Sequence, residues 1–290
     1  MGLKRGQITQ GIAFGTFTAM ALLIGSVFFA ILFLIISQGA PVISLQFLFG
    51  TPRSLTDQGL SLQIEGTILV SGLSTILAFV IGLMTAVYLV EYAPKESKFV
   101  KAINVAIANL AGVPAIVFGL FGYPFFVQYL GLGQTTLSGI LAMVLLELPI
   151  VIQASKEALL RVPEGFKNAA YAVGATKFQV IRLQVLPYTW SGALTGAILA
   201  LARGIGETAT IIFIGAAARI TGLAMVGLLS PFSTLSISLY AEIKTSPITT
   251  LPTQYGIAFL LLIITLTLNL LGTVIRGRFQ KKMRAYLESA

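Results

Sequence analysis

Lys156-Glu157-Ala158-Leu159-Leu160-Arg161-Val162-Pro163-Glu164-Gly165-Phe166-Lys167-Asn168-Ala169-Ala170-Tyr171-Ala172-Val173-Gly174-Ala175-Thr176-Lys177 is a charged interlude between two long apolar runs. It continues through Arg182 and closes at Leu186-Pro187. The runs on either side, 136–155 and 189–216, are long enough to cross a bilayer core of roughly 30 Å. A charged segment punctuated by proline and glycine between two such spans belongs outside the lipid. There it offers a partner something to grip.

Composition points the same way. The chain of 290 residues is 56% hydrophobic and only 10% charged, against roughly 25% charged in a soluble domain. Its mean hydropathy is +0.92. Further spans are predicted at 12–37, 66–90, 102–130 and 256–275, six in all. Every backbone amide in lipid needs an internal partner, and these runs are too long for barrel strands, so they are read as helices. The fold class is all-α: one polytopic membrane domain with six transmembrane helices.

Orientation follows from the basic residues. With the N-terminus inside, the cytoplasmic segments hold 15 of the 19 Lys and Arg, among them Lys95, Lys98, Lys101, Lys156, Arg161, Lys167 and Lys177. Arg53, Arg219 and Lys244 fall in outer loops and Arg203 inside a span. The positive-inside rule then puts both termini in the cytoplasm. The net charge of +9 sits beside anionic headgroups and calls for no nucleic acid. Lys4 and Arg5 before an apolar run resemble a signal peptide. That run is too long and lacks a small-x-small cleavage site, so it reads as a retained first helix. With no Cys and no His, disulfides, thiol nucleophiles, the usual zinc sites and imidazole relays are excluded.

Three features inside the spans carry chemistry. Arg203 and Glu207, in Ala202-Arg203-Gly204-Ile205-Gly206-Glu207-Thr208, are spaced i, i+4 and are expected on one helical face, neutralising each other. Each charge at the bilayer centre costs about 2.5–3.5 kcal/mol, so the pair should face protein or a wet cavity. It reads either as a structural ion pair or as an anion pathway with Arg203 meeting substrate. Glu147, before Leu148-Pro149, is a candidate intramembrane charge or an acid near the inner interface. The stretch 111–124, with Gly112, Pro114, Gly119, Gly122 and Pro124, predicts a kinked or interrupted helix. Gly192, Gly196, Ala200, Gly204 and Thr208 form a small-residue stripe suited to close helix packing.

Asn168-Ala169-Ala170-x3-Gly174 with Leu186-Pro187 resembles the EAA loop of ABC importer permeases, with Asn168 standing for the family's leading Glu and Gln184 for its usual Ile. Together with Glu157-Ala158-Leu159-x2-Val162-Pro163, the glycine- and proline-rich third span and Ala202-Arg203-x2-Gly206-Glu207-Thr208-Ala209, it resembles the phosphate-specific ABC importer permeases. Tyr88-Leu89-Val90-Glu91-Tyr92-Ala93-Pro94 is similar to the PstA-type subunit rather than the PstC type.

The resemblance implies a MetI-like permease fold. An N-terminal tail, first helix and outer loop (1–65) precede a permease core (66–276) with its coupling loop at about 156–188, and a basic tail (277–290) follows. It implies a non-catalytic subunit of a phosphate importer in a prokaryotic inner membrane. Asn168, Ala169, Ala170, Gly174, Leu186 and Pro187 would dock on an ATPase, and Arg203, Glu207 and Thr208 would line the substrate pathway. Two short helices joined at Gly174 are expected to form the docking knob. The implied partners are a PstC-type permease, two ATPase subunits, an extracytoplasmic phosphate-binding protein and membrane lipid. The chain has no GxxxxGK[ST] loop, so ATP and magnesium are expected on the partner ATPase and no cofactor here. A permease for molybdate or sulfate would share the coupling loop. An ion-driven secondary transporter would more often show duplicated halves with matching broken helices, a repeat not visible in this sequence.

Overall fold

The apolar runs fold as helices in a computed structural model that describes residues 2–50, 59–94, 96–215, 227–245 and 251–289. Arg53, Lys95, residue 216 and Arg219 lie outside the described residues, as do the side chains of Lys4, Arg5, Lys282 and Arg284. In chain order the helices are α1 (Gly2–Gly39), α2 (Leu45–Phe49), α3 (Ser61–Val87), α4 (Lys98–Ala111), α5 (Ala115–Gly122), α6 (Thr136–Leu160), α7 (Glu164–Ala172), α8 (Lys177–Val180), α9 (Leu186–Ile205), α10 (Ala209–Ile214), α11 (Leu235–Thr245) and α12 (Leu251–Ser289). Wide π turns continue α3 through Tyr88–Tyr92, α5 through Tyr123–Tyr129 and α8 through Ile181–Val185. No strand occurs among the described residues.

Five helical stretches are long and apolar enough to cross a membrane: Gln10–Val42, Ser61–Tyr92, Thr136–Leu160, Lys177–Ile205 and Leu251–Lys281. The predicted third span, 102–130, is not one rod. Lys98–Ala111 and Ala115–Tyr129 meet at 105°, and the pair supplies a sixth span when counted together. Pro114 causes the break, because it lacks an amide hydrogen and pushes Val113 out of the helical region. The predicted fifth span, 189–216, is displaced as well. Its helix already runs from Lys177, passes Pro187 after the wide turn Ile181–Val185, and stops at Ile205. A wide turn relieves the clash that a proline brings to the carbonyl four residues before it. The boundary expected at 65/66 falls inside α3, and the basic tail from 277 continues α12 as far as Ser289.

The core is the contact of α3, α6 and α9. Val70, Ala78, Ile140, Met143, Val144, Leu146, Val151 and Ala200 are all buried there. The small-residue stripe brings α9 onto α6 in antiparallel fashion. Gly192 faces Ala158, a Cβ on Gly196 would lie 2.6 Å from that of Ala154, and one on Gly204 would lie 2.6 Å from Glu147 Oε1. The stripe therefore packs within the chain, and it ends at Gly204 because Thr208 lies beyond the helix. The amphipathic pattern of α3 shows why this face is specific: Thr67, Ser71, Ser74 and Thr75 recur at helical spacing and are all buried.

Valine at Gly196 drives two methyls into the α6 contact. An overpacked core loses about 1–3 kcal/mol, so Gly196→Val should lower the thermal midpoint of the detergent-solubilised chain. A Cβ on Gly72 would meet nothing within 4 Å. Gly72→Ala should therefore stay within about 0.5 kcal/mol of wild type.

Candidate functional site

α9 carries Arg203 in its last turn, Gly206 caps it, and α10 begins again at Ala209. Arg203 is thus at the end of a helix rather than half-way along one, and Glu207 lies outside that helix. The expected pair on one helical face does not form: no Arg203–Glu207 salt bridge occurs among the described residues. Glu207 Oε1 instead accepts from the Thr210 amide at 3.1 Å. That satisfies one of the amides a helix start leaves unpaired, and a carboxylate gains from the partial positive charge there. Gly204 and Gly206 explain the stop, since each costs a helix about 1 kcal/mol relative to Ala. Glu207 is buried at 8% exposure, Thr208 is half-buried and Arg203 is exposed.

The new start is locked to the other interrupted helix. Thr210 Oγ1 donates to the Ala115 carbonyl at 2.9 Å. A Cβ on Gly119 would lie 2.6 Å from the Thr210 carbonyl oxygen and 2.9 Å from Phe213 Cβ. Ser236 Oγ, at the start of α11, donates to the Glu207 carbonyl at 2.8 Å. Two broken helices therefore meet where the sequence showed only one.

Glu147 is not an interfacial acid. It is fully buried about half-way along α6, and Ser74 Oγ donates to its Oε1 at 3.0 Å. Its Oε2 and the Thr75 hydroxyl are buried with no hydrogen-bond partner. The bare backbone of Gly204 is what lets α9 close over Glu147. The predicted span stops at 155, five residues short of the helix end, which moves Glu147 towards the boundary. Ser74, Thr75, Thr210 and Ser236 are not singled out by the sequence. The spacing of hydroxyl residues along α3 is the available signal for the first two.

The charged interlude folds as a projecting helix pair. α7 carries Asn168, Ala169 and Ala170, and Gly174 turns the chain with φ +84°. A residue with a Cβ is strained at such an angle. Thr176 and Gln179 then form a capping box that starts α8, giving reciprocal partners to its first amides. Phe166, Tyr171, Val173 and Phe178 stand exposed on the pair, Val173 at 85%. Asn168, Ala169 and Gly174 share that exposed surface, whereas Leu186 and Pro187 are half-buried. Ala170 differs from expectation. It is 6% exposed and packs inward with Ala86, Leu159, Val162 and Val180, so it anchors the projection instead of forming its outer face.

Over residues 78–285 the chain matches the family described as binding-protein-dependent transport system inner membrane component. The chain belongs to that family. It is 35% identical over 211 residues to the phosphate transport system permease protein PstA 1 of Mycobacterium tuberculosis (strain CDC 1551 / Oshkosh), covering 73% of this chain and 68% of the relative. The phosphate transport system permease protein PstC of Mesorhizobium japonicum (strain LMG 29417 / CECT 9101 / MAFF 303099) is 32% identical over 207 residues, covering 62% of this chain and 61% of its own. The fold is similar to that of the MetNI methionine ABC transporter in inward-facing form, with a TM-score of 0.62 at 22% identity over 75% of this chain and 94% of that one. The PstA-type resemblance and the MetI-like permease fold both hold.

This geometry separates Arg203 from Glu207 in stability. Removing one partner of a buried ion pair costs about 3–5 kcal/mol. Among the described residues Arg203 has no such partner, so Arg203→Gln should leave the permease's stability, read from its thermal midpoint, within about 0.5 kcal/mol of wild type. Glu207→Ala, which removes the acceptor at the start of α10, should cost about 1 kcal/mol. Glu207→Gln keeps an acceptor oxygen and should restore most of it.

Proposed function

We infer that this chain is the transmembrane permease subunit of an ATP-driven phosphate importer, forms half of the translocation pathway and couples to a separate ATPase. The observation that carries this reading is the projecting helix pair: apolar side chains as exposed as Val173 and Phe178, held on a turn that only glycine adopts without strain, outside the apolar spans. Exposed apolar side chains on a rigid projection suit a partner's cleft. Phosphate as the cargo rests on the likeness to phosphate transport system permeases.

In this reading the chain is not a catalyst. ATP and magnesium are bound by two ATPase subunits, which take the surface around Asn168, Ala169 and Gly174. Ala170 holds that surface in place from behind, and Leu186 and Pro187 complete the coupling loop at the entry to α9. A PstC-type permease completes the pathway, and a phosphate-binding protein delivers cargo from outside the cell. The chain lies in a prokaryotic inner membrane with both termini in the cytoplasm, a reading supported by the bias of its basic residues.

Arg203, Glu207 and Thr208 line the pathway at the break between α9 and α10. Arg203 is exposed and free of a salt bridge among the described residues, so its guanidinium is available to an oxyanion in bidentate geometry. The Glu147 side chain is buried beneath the neighbouring Gly204. A permeation site has to bind weakly enough to release, and an exposed guanidinium, screened by water, holds an anion more weakly than a buried one. Glu207 fixes the start of α10, and the Thr208 hydroxyl donates to the Gly206 carbonyl within the break.

The test is ATP-dependent uptake of labelled phosphate by the reconstituted complex in liposomes, with molybdate and sulfate as competitors. Phosphate should accumulate only with ATP and be displaced poorly by the other two. Uptake without ATP, or a preference for another oxyanion, would contradict the reading. In the same assay Arg203→Gln should abolish uptake although the complex assembles, and Arg203→Lys should lose part of it. Gly174→Val should insert normally yet fail to retain the ATPase on purification.

A further inference from the structure

The end of α3 and the projecting pair are joined by charges that neither the pathway nor the docking surface uses. Lys167 on α7 donates to Glu91 Oε1 in an ion pair whose side chains are 18% and 8% exposed. Beside Glu91, the ring of Tyr92 lies under Lys177 at the start of α8, whose ammonium is 4.8 Å from the ring centre. Glu91 and Tyr92 both belong to the wide turn Tyr88–Tyr92 that ends α3. The same few residues therefore hold both limbs of the projection, one on each side of Gly174. Beneath them Ala86, Val87 and Val90 pack against Val162, Ala170 and Val180. The only other salt bridge among the described residues, Lys101–Glu96, is exposed and joins neighbouring turns.

We propose that the Glu91–Lys167 ion pair is the tie through which a push on the projecting pair moves α3. Glu91 and Lys167 are positioning residues here, acting on the pathway through the helix between them. Charge pairs out of water hold tightly and have a defined direction, whereas an apolar contact alone slides. From Glu91 the helix rises about 1.5 Å per residue. It carries Ser74 and its hydrogen bond to Glu147, and Glu147 lies against Gly204, next to Arg203. Movement of the projection is thereby delivered to the break between α9 and α10. This proposal rests on the projection being the ATPase-docking surface.

The complex in liposomes tests it, by phosphate transported per ATP hydrolysed, alongside retention of the ATPase. Glu91→Gln should retain the ATPase and its hydrolysis but lower transport per ATP at least about fivefold, the low end of a typical coupling between sites. Glu91→Asp should keep most of the coupling. The exchange of Glu91→Lys with Lys167→Glu should recover at least about half of the transport lost by Glu91→Lys alone, which an independent role for either residue does not give. Wild-type transport per ATP in Glu91→Gln, loss of the ATPase in that variant, or an exchange no better than its single parts would each overturn the proposal. A separate arm reads the docking itself. Val173→Arg should release the ATPase, and if the ATPase stays bound it is the docking surface that is wrong, whatever Glu91 does.

Discussion

The hydrogen bond from Thr210 to the Ala115 carbonyl, with Gly119 pressed against the backbone of the same turn, is the contact on which this architecture turns. A helix broken within a membrane leaves amides and carbonyls that lipid cannot satisfy. Here two breaks answer each other. Pro114 ends one helix and fixes the start of α5, Glu207 supplies an acceptor for the start of α10, and the two short helices close on one another. The geometry resembles the discontinuous helices with which transporters build sites near the bilayer centre. Glycine at 119 is what allows the approach, because any larger side chain there would meet the Thr210 backbone.

Polar groups elsewhere in the core follow from that arrangement. Stopping α9 at Ile205 places Gly204 over Glu147 and leaves Arg203 at the mouth of the break. Ser74 and Thr75 then face Glu147 from α3, and Thr67 receives the backbone amide of Leu235 at 2.9 Å. Buried hydroxyls and the Glu147 carboxyl group thus sit where three helices converge. A carboxyl group held in this way, with one oxygen bonded and one without a partner, is costly to bury.

Much of this is legible in the sequence. Hydropathy locates the long helices, because a 20-residue apolar run has few other ways to satisfy its backbone. Gly174 and the Asn168-Ala169-Ala170 run before it announce the projecting pair, and Pro114 announces the first break. The second break escapes for a physical reason: Ile205 and Ile211–Phe213 continue the apolar run across Gly206–Thr208, so hydropathy reads through a turn that only capping chemistry reveals. The same blindness makes Arg203 and Glu207 look like an i, i+4 pair. The interfacial alternative for Glu147 arises because Lys156 and Glu157 suggest an early helix end, whereas α6 carries both and continues to Leu160. Ala170 belongs to the motif, yet its burial depends on Val162 and Val180, which only the folded chain brings beside it.

The chain contains no cysteine, so a single one can be placed at Thr208 and its labelling followed on this chain's own gel band without background from the rest of its sequence. In the reconstituted complex a membrane-impermeant thiol reagent should label Thr208→Cys, and phosphate with ATP turnover should change the rate of that labelling. A cysteine at Gly72, with open space around it, should show no response to phosphate. Labelling at 208 that ignores phosphate in every nucleotide state, or a position closed to the reagent throughout, would contradict the claim that the α9–α10 break lines the path of the anion.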